Sequence, residues 1–496
     1  MSEKIVVTAA YPFIPAEINM AHMASTYIPA DIYFRFLRQL KKEVVLVSAT
    51  DVHGITIKNM SRSKQIEIEE IIQFYHQKYS EIFNKMGIEF SCYSRTDTNY
   101  VKELVYNSLY KLQENGKIYR SRSINYLCQN CGEYLPKHFR LASENKTAAD
   151  KMILNNDKFE CYFCHSHDIT QELIEHWFLK FDDQSKEVVE NVIDNQCNSF
   201  VRKYLKSVYV NGLHDWDFTR DNYWGLEIPF STVDKRKQYI YLWYESLIAY
   251  LSLITFEEGN TILFKHFMSK NIVYYHGIIW PILLYLGCQG TENFEIQIAV
   301  KGFLNIKDSN NDLVDIDKAL SMYDKDYLRF YVTYVVKDNI TDFKFELSEF
   351  KNVINSVLCK NIGGFYKRCR NILYKYNIEK VPDIEYRDAQ FDDLIQLYKK
   401  QYKNMESYKL LMDALIYIKH CGKEIELNKI YNYPTIENIG LLCFMMAGAL
   451  ILMKKFIPDL VEIYNIFEEL DLSCISSIDN LKGKKIIKRD GGWGQI

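Results

Sequence analysis

Two pairs of cysteines carry the plainest chemistry in the sequence. Cys128-x-x-Cys131 and Cys161-x-x-Cys164 have the spacing of a tetrahedral four-cysteine zinc site, in which each pair supplies two thiolates to one cation. The 29 residues between the pairs exceed the usual compact ribbon, and His165 and His167 are read as surface residues first and as alternative ligands second. Both pairs lie in polar sequence, which argues against four unrelated core thiols, and a closed site of this kind is structural rather than catalytic. A second group of polar residues falls at the ends of apolar runs: Asn19 and His22 open an amphipathic stretch, and Asp51 directly follows a buried one.

The elements that must position these residues can be read from periodicity. Lys4 to Ala10 reads as a buried strand, a proline-containing loop follows, Asn19 to Lys42 is amphipathic, and Glu43 to Thr50 is a second strand. This order opens a parallel α/β nucleotide-binding domain, whose ligands sit beyond the carboxyl ends of the strands. Ligand residues should therefore cluster at Ala9 to His22 and Asp51 to Gly54. From about Ile118 to Phe178 the rhythm breaks around the paired cysteines and a polar stretch, as an inserted small domain would make it. Alternation resumes at Tyr239 to Ile254, Asn271 to Gly287 and Ile296 to Leu304. From Asp324 the periodicity is helical almost to the end, in Leu347 to Tyr376, Asp392 to Lys419 and Thr435 to Glu469. The predicted domains are 1–117 and 179–323 for the two halves of the α/β domain, 118–178 for the insertion and 324–496 for a helical bundle.

Composition is consistent with this plan. A chain of 496 residues needs two or three cores, and 48 % hydrophobic with 25 % charged residues and nine prolines excludes long disordered regions. The net charge of −3 gives no electrostatic footprint for non-specific nucleic-acid binding, although a local basic face is compatible with it. The amino terminus lacks a signal-peptide pattern, and the longest apolar run, Leu441 to Met453, is too short to span a bilayer. A cytoplasmic protein with no membrane association is expected, in which the twelve cysteines are metal ligands or reduced core residues.

Several ordered blocks resemble the methionyl-tRNA synthetase family of class I synthetases. They are VVTAAYPFIPAEINMAHMASTYIPADIYFRFLR, VVLVSATDVHG, EHWFLKF, TRDNYWGLEIP, YLWYESLIAYLS, NIVYYHGIIWPILL and VKGFLNI. The resemblance implies a class I Rossmann-like catalytic domain, an inserted zinc-knuckle domain and a C-terminal helical anticodon-binding bundle. It also implies ATP with Mg2+ as a cosubstrate and structural Zn2+ on the four cysteines. By matching motif positions, Asp51 falls where the family binds the α-ammonium group, and Trp243, Tyr250 and His276 match residues that line or close the methionine pocket. Tyr11 and Phe13 replace the family's Leu and Tyr after the first strand, and Ser246-Leu247 replaces its Ala-Pro.

The nucleotide signatures depart further. The family's His-x-Gly-His reads Asn19, Met20, Ala21, His22, which leaves His22 and Asn19 as the catalytic candidates and Ala21 where the family has glycine. Its Lys-Met-Ser-Lys-Ser loop reads Asn310, Asn311, Asp312, Leu313, Val314, without either lysine; Lys301 or Lys307 are the candidate substitutes. Its Gly-Lys-Asp segment reads Ser269-Lys270-Asn271, with Lys270 and Asn271 as nucleotide contacts. In the bundle Arg368 matches an anticodon-contacting arginine, Gly364 replaces the neighbouring asparagine, and no tryptophan lies between Trp280 and Trp493 to stack an anticodon base. Tyr431 or Tyr433 are the aromatic alternatives.

These substitutions rank three readings. The first is a repurposed aminoacyl ligase that activates an amino acid, methionine or similar, for transfer to a small-molecule acceptor or to a separate partner enzyme, as in hydrazine-forming specialised metabolism. The second is a catalytically dead amino-acid-binding protein. The third is a divergent methionyl-tRNA synthetase that charges tRNA.

Overall fold

The computed structural model describes residues 3–130, 166–231, 236–255, 261–288, 294–489 and 491–495. Ten strands occur among them. In chain order they are β1 (Glu3–Ala9), β2 (Val44–Thr50), β3 (Cys92–Arg95), β4 (Ile118–Cys128), β5 (Ile169–Leu179), β6 (Trp216–Asp217), β7 (Thr219–Asp221), β8 (Gln238–Ile240), β9 (Thr261–Ser269) and β10 (Phe294–Lys301). Five of them form a parallel sheet in the order β10-β9-β1-β2-β3. Alternate β1 side chains enter different cores, Ile5, Val7 and Ala9 on one face and Val6 on the other, as a sheet covered on both sides requires.

The chain leaves β1 toward β2 and β3, then returns to β9 on the opposite side of β1. The strand order therefore reverses between β1 and β9, and the crevice outside the carboxyl ends of those two strands is where an open parallel sheet binds ligands. The connection from β1 to β2 is a helix in three successive segments: Met20–His22, a π stretch Met23–Tyr27 and Ile28–Gln39. Its start is the expected one, capped by Asn19.

The central strand β9 lies outside the strands and helices that the sequence predicts. Its run TILFKHFMS carries Lys265 and His266, which break the apolar pattern, yet both side chains are buried. Lys265 donates to Gln297 Oε1 on β10 at 2.5 Å, and burial lowers its pKa to about 8. His266 is held by Thr8 on β1, with Nδ1 2.6 Å from the hydroxyl. A polar pair satisfied across strands is invisible to hydrophobic periodicity.

In the inserted region β4 and β5 pair antiparallel along their whole length, with β6 at the edge. Cys128 ends β4 and is buried, whereas Cys131, Cys161, Cys164 and His165 lie outside the described residues.

Helices dominate from Lys325 onward. Helix Lys325–Val335 is tied to the helix of the β1–β2 connection by a fully buried ion pair, Arg329 Nη2 to Asp31 Oδ2 at 2.5 Å. Leu347 to Tyr376 is helical as expected, with a π stretch at Val353–Gly363. Two expectations change. Asp392 to Lys419 is not one helix but parts of two, Ala389–Gln401 and Ser407–Leu427, and within Thr435 to Glu469 the α-helix covers only Ile436–Met453. The remainder to residue 489 is turns, two short 3-10 helices, Leu460–Ile463 and Ile475–Asn480, and short bridges that pair Lys380 with Lys485 and Phe467 with Ile486. Helix Ile436–Met453 has 18 residues and is long and apolar enough to cross a membrane by length and composition, longer than the apolar run read from sequence; 78 % of it is buried in the bundle. Its uniform apolarity is that of a core helix.

Candidate active site

The loop after β1 is stapled to the end of β2. Asp51 N–H donates to Pro12 O at 2.9 Å, Ile14 N–H donates to Asp51 O at 3.2 Å, and Phe13 and Asp51 form a parallel bridge. Tyr79 donates its hydroxyl to Phe13 O and Ala16 O from below. These bonds bring Asp51 to the crevice with its side chain 4 % exposed. Ser246 Oγ donates to Asp51 Oδ2 at 2.6 Å, while Oδ1 is buried and has no hydrogen-bond partner. Burial, opposed by the Ser246 bond and reinforced by the charge of Glu245, pushes the Asp51 carboxyl up to about 7. An orphaned carboxylate oxygen is costly, and the cost is recovered when a cation with N–H donors occupies the site.

His53, two residues on, is paired with Glu245 at 2.7 Å from Nδ1 to the carboxylate. Burial alone would lower the pKa of His53, but Glu245 outweighs it and the net shift is upward. The pair is buried behind Asp51 and fixes helix Leu242–Ala249, which carries Trp243 and Ser246, to the end of β2.

An aromatic box adjoins the carboxylate. The Tyr11 and Tyr250 rings are 4.5 Å apart, and Trp243 stacks on Tyr275 at 4.3 Å. His276 Nδ1–H donates to Ile272 O at 3.1 Å, so its Nε2 accepts from the Tyr250 hydroxyl, also at 3.1 Å. Burial lowers the His276 pKa to about 4, so the ring is neutral at physiological pH and keeps that tautomer. The sequence reading missed His266, whose ring centroid lies 5.2 Å from both Tyr250 and His276. The structure thus brings together Asp51, Tyr11, Trp243, Tyr250 and His276. Phe13 contributes its backbone to the staple, but its ring is 52 % exposed and stacks on none of the box aromatics among the described residues.

At the start of the first helix, Asn19 is the cap. Its Oδ1 accepts from Ala21 N–H at 2.9 Å, and its own N–H points to His22 Nδ1 at 3.2 Å. Accepting there requires the His22 proton on Nε2, which leaves Nε2–H as an outward donor; a competing contact from Nδ1 to Asn19 Oδ1 at 2.9 Å requires the opposite tautomer. His22 is exposed at one edge, yet neighbouring chain removes enough water to lower its pKa. Both groups are therefore neutral donors.

The segment Asn310 to Val314 is a short capped helix rather than a free loop. Asn310 Oδ1 accepts from Asp312 N–H at 3.0 Å and Leu313 N–H at 3.3 Å, and Leu313 and Val314 are buried. It packs beside Met20–His22. Gly302, directly after β10, admits no side chain, because a Cβ would lie 2.0 Å from Thr341 O. Lys301 is buried and paired with Asp338, so it cannot stand in for the missing lysines; Lys307 is exposed. Lys270 pairs with Asp342 at 3.0 Å and lies over the Phe303 ring, and Asn271 accepts from Ser269 Oγ. In the bundle Arg368 faces Glu426 at 3.6 Å, and Tyr431 and Tyr433 are exposed, with Lys375 over the Tyr431 ring.

A parallel sheet with its strand order reversed at β1, a carboxylate at the end of β2 and an imidazole on the first helical turn define a class I aminoacyl-tRNA synthetase fold. Residues 5–370 match the family described as tRNA synthetases class I (M), and the chain belongs to that family. It is similar to the methionine–tRNA ligase of Methanocaldococcus jannaschii, at 26 % identity over 98 % of this chain and 79 % of the relative, and to that of Methanobrevibacter smithii, at 28 % over 79 % and 62 %. In fold it matches Mycobacterium tuberculosis methionyl-tRNA synthetase in complex with methionyl-adenylate, with a TM-score of 0.80, 16 % identity and 99 % of each chain covered.

Proposed function

We propose that the chain is a divergent methionyl-tRNA synthetase, which activates methionine or a similar amino acid with ATP and passes it to tRNA. The observation that carries this reading is the unpartnered Asp51 Oδ1 beside the aromatic box, an anionic anchor for an α-ammonium with an apolar, polarizable pocket for the side chain. The similarity of nearly the whole chain to methionine–tRNA ligases favours tRNA as acceptor over the repurposed and dead readings that the substitutions alone rank higher.

In this reading Asp51 binds the ammonium, Tyr250 and His276 shape the far end of the pocket, and His22 Nε2–H with the Asn19 amide donates to phosphate oxygens. ATP with Mg2+ would supply the leaving pyrophosphate, and the neutral donors present fit phosphate oxygens without matching their charge. A structural zinc on Cys128, Cys131, Cys161 and Cys164 and a cytoplasmic location belong to the same proposal. Amino-acid-dependent exchange of pyrophosphate into ATP, run across all amino acids and followed by charging of total tRNA, tests it. Exchange with methionine and methionyl-tRNA formation are the expected results. Exchange without charging would restore the repurposed ligase, and no exchange with any amino acid would restore the binding protein.

A further inference from the structure

Asp51 is a buried carboxylate that no cation neutralises. Among the described residues it forms no ion pair, and His53, whose charge bears on it, is engaged by Glu245 at 2.7 Å. Glu245 itself, on helix Leu242–Ala249, faces Asp51 as a second negative charge. Tyr11, Tyr223 and Tyr250 also bear on the carboxylate. The hydroxyls of Tyr11 and Tyr223 have no hydrogen-bond partner, and that of Tyr250 lies against His276 Nε2, so none of the three donates to Asp51. Ser246 is therefore its only side-chain donor among the described residues.

The Ser246 hydroxyl has one proton to place. A serine inside a helix commonly returns its hydroxyl to the carbonyl one turn earlier. Here it goes instead to Asp51 Oδ2 at 2.6 Å, the separation of a hydroxyl bonded to an ionised carboxylate. The donor is well fixed. Ser246 is 3 % exposed and directly follows Glu245, whose bond to His53 ties this helix to the end of β2. With Oδ2 occupied, Asp51 has Oδ1 alone to offer, buried and unpartnered. Serine stands where the resembling family has alanine, so the hydroxyl is a feature of this chain rather than of the fold.

We propose that Ser246 is a positioning residue for the amino acid: by holding Oδ2 it turns Oδ1 toward the ammonium and stabilises the carboxylate form that pairs with it. The inference rests on the proposed function, in which Asp51 binds the α-ammonium. It adds a coupling to protons. Burial, reinforced by Glu245, holds the empty site's carboxyl up to about 7, and the Ser246 bond opposes that rise. A protonated Asp51 offers no countercharge, so an arriving ammonium displaces the remaining carboxyl proton to solvent. Affinity for the amino acid should therefore rise with pH through about 7. Without the hydroxyl the carboxyl holds its proton to higher pH, and the rise moves up with it.

Amino-acid-dependent pyrophosphate exchange with methionine, followed between about pH 6 and pH 8, tests this in the wild type, S246A and S246T. S246A should raise the KM for methionine about tenfold or more at pH 7, the effect of losing a hydrogen bond to a charged group. It should also displace the pH profile of that KM upward by about one unit, with kcat at saturation and the KM for ATP unchanged. S246T keeps the hydroxyl and should restore both. A merely structural role for Ser246 would leave the pH profile where it is. Calorimetry at pH 7 in two buffers of different ionisation heat supplies a second readout if S246T folds poorly. Proton release per bound methionine should rise from about half in the wild type to nearly one in S246A. An unchanged profile and unchanged proton release in S246A overturn the role of Ser246 and leave the proposed function standing. A wild type that neither exchanges pyrophosphate nor binds any amino acid removes the proposed function, and the role of Ser246 with it.

Discussion

Ser246 occupies one oxygen of Asp51 and leaves the other buried without a partner. The carboxyl is consequently held up to about 7, chiefly by burial. A carboxyl raised in this way favours the folded state when protonated. Its contribution is fully present below the ordinary carboxylate pKa, near 4, and is lost as pH rises toward 7. Across about three units this amounts to roughly 4 kcal/mol, at 1.36 per unit. Asp51→Asn should therefore melt above the wild type at pH 8 without amino acid, with the gap closing toward pH 4, while amino-acid binding weakens by about 2–5 kcal/mol. Calorimetry in both conditions checks the pair of effects. Unchanged affinity would remove Asp51 from the site.

Lys301 tests whether a lysine near the former signature loop serves phosphate or structure. It is buried against Asp338, which also accepts from Tyr408 N–H at 3.2 Å and Lys409 N–H at 2.8 Å and so anchors helix Ser407–Leu427. Breaking a buried pair leaves an uncompensated charge, so Lys301→Ala should cost about 3–5 kcal/mol in urea denaturation. The KM for ATP should stay unchanged at temperatures where the variant is folded. A raised KM at wild-type stability would assign Lys301 to the nucleotide instead.

How much of this was legible in the sequence depended on where polar side chains found their partners. β1, β2 and the helix after Asn19 were readable because their apolar periodicity is intact, and Asp51 was readable from the ordered blocks around it. β9 was not, because Lys265 and His266 are satisfied by Gln297 and Thr8, residues distant in sequence. The break at Tyr402 to Glu406 contains neither proline nor glycine to announce it. Leu313 and Val314 occupy positions that family resemblance assigns to a mobile loop, and only their burial shows that the segment is docked.

The zinc proposal rests on the two Cys-x-x-Cys pairs. Elemental analysis of protein purified under reducing conditions without chelator should give about one zinc per chain. Changing Cys128 and Cys161 together to Ser should abolish it, because one thiolate from each pair does not close a tetrahedral site. Metal-free wild-type protein would refute the assignment.

On the proposed function adenylation should be slow, because the phosphates would meet neutral groups. His22 and Asn19 donate without formal charge, Lys270 is engaged by Asp342, Lys301 by Asp338, and Asp312, 3.9 Å from Lys318, places a carboxylate on the segment packed beside Met20–His22. Removing one preorganised donor from developing charge typically costs about 10²–10³ in rate. His22→Ala should therefore lower methionine-dependent pyrophosphate exchange by about that factor while leaving methionine affinity intact, since His22 is outside the Asp51 box. Asp312→Lys works in the opposite direction. Its side chain is 51 % exposed and its contact with Lys318, at 3.9 Å, is a solvent-screened surface pair, so the change costs little stability, and it replaces a partly compensated negative charge with a positive one. It should raise the exchange rate by about tenfold or more, within the range one such group commands. A strain depleted of its own methionyl-tRNA synthetase should grow poorly on the unmodified gene and better on Asp312→Lys. Normal growth on the unmodified gene, with no gain from the lysine, would show that other groups neutralise the phosphates and that the altered signatures do not limit the rate.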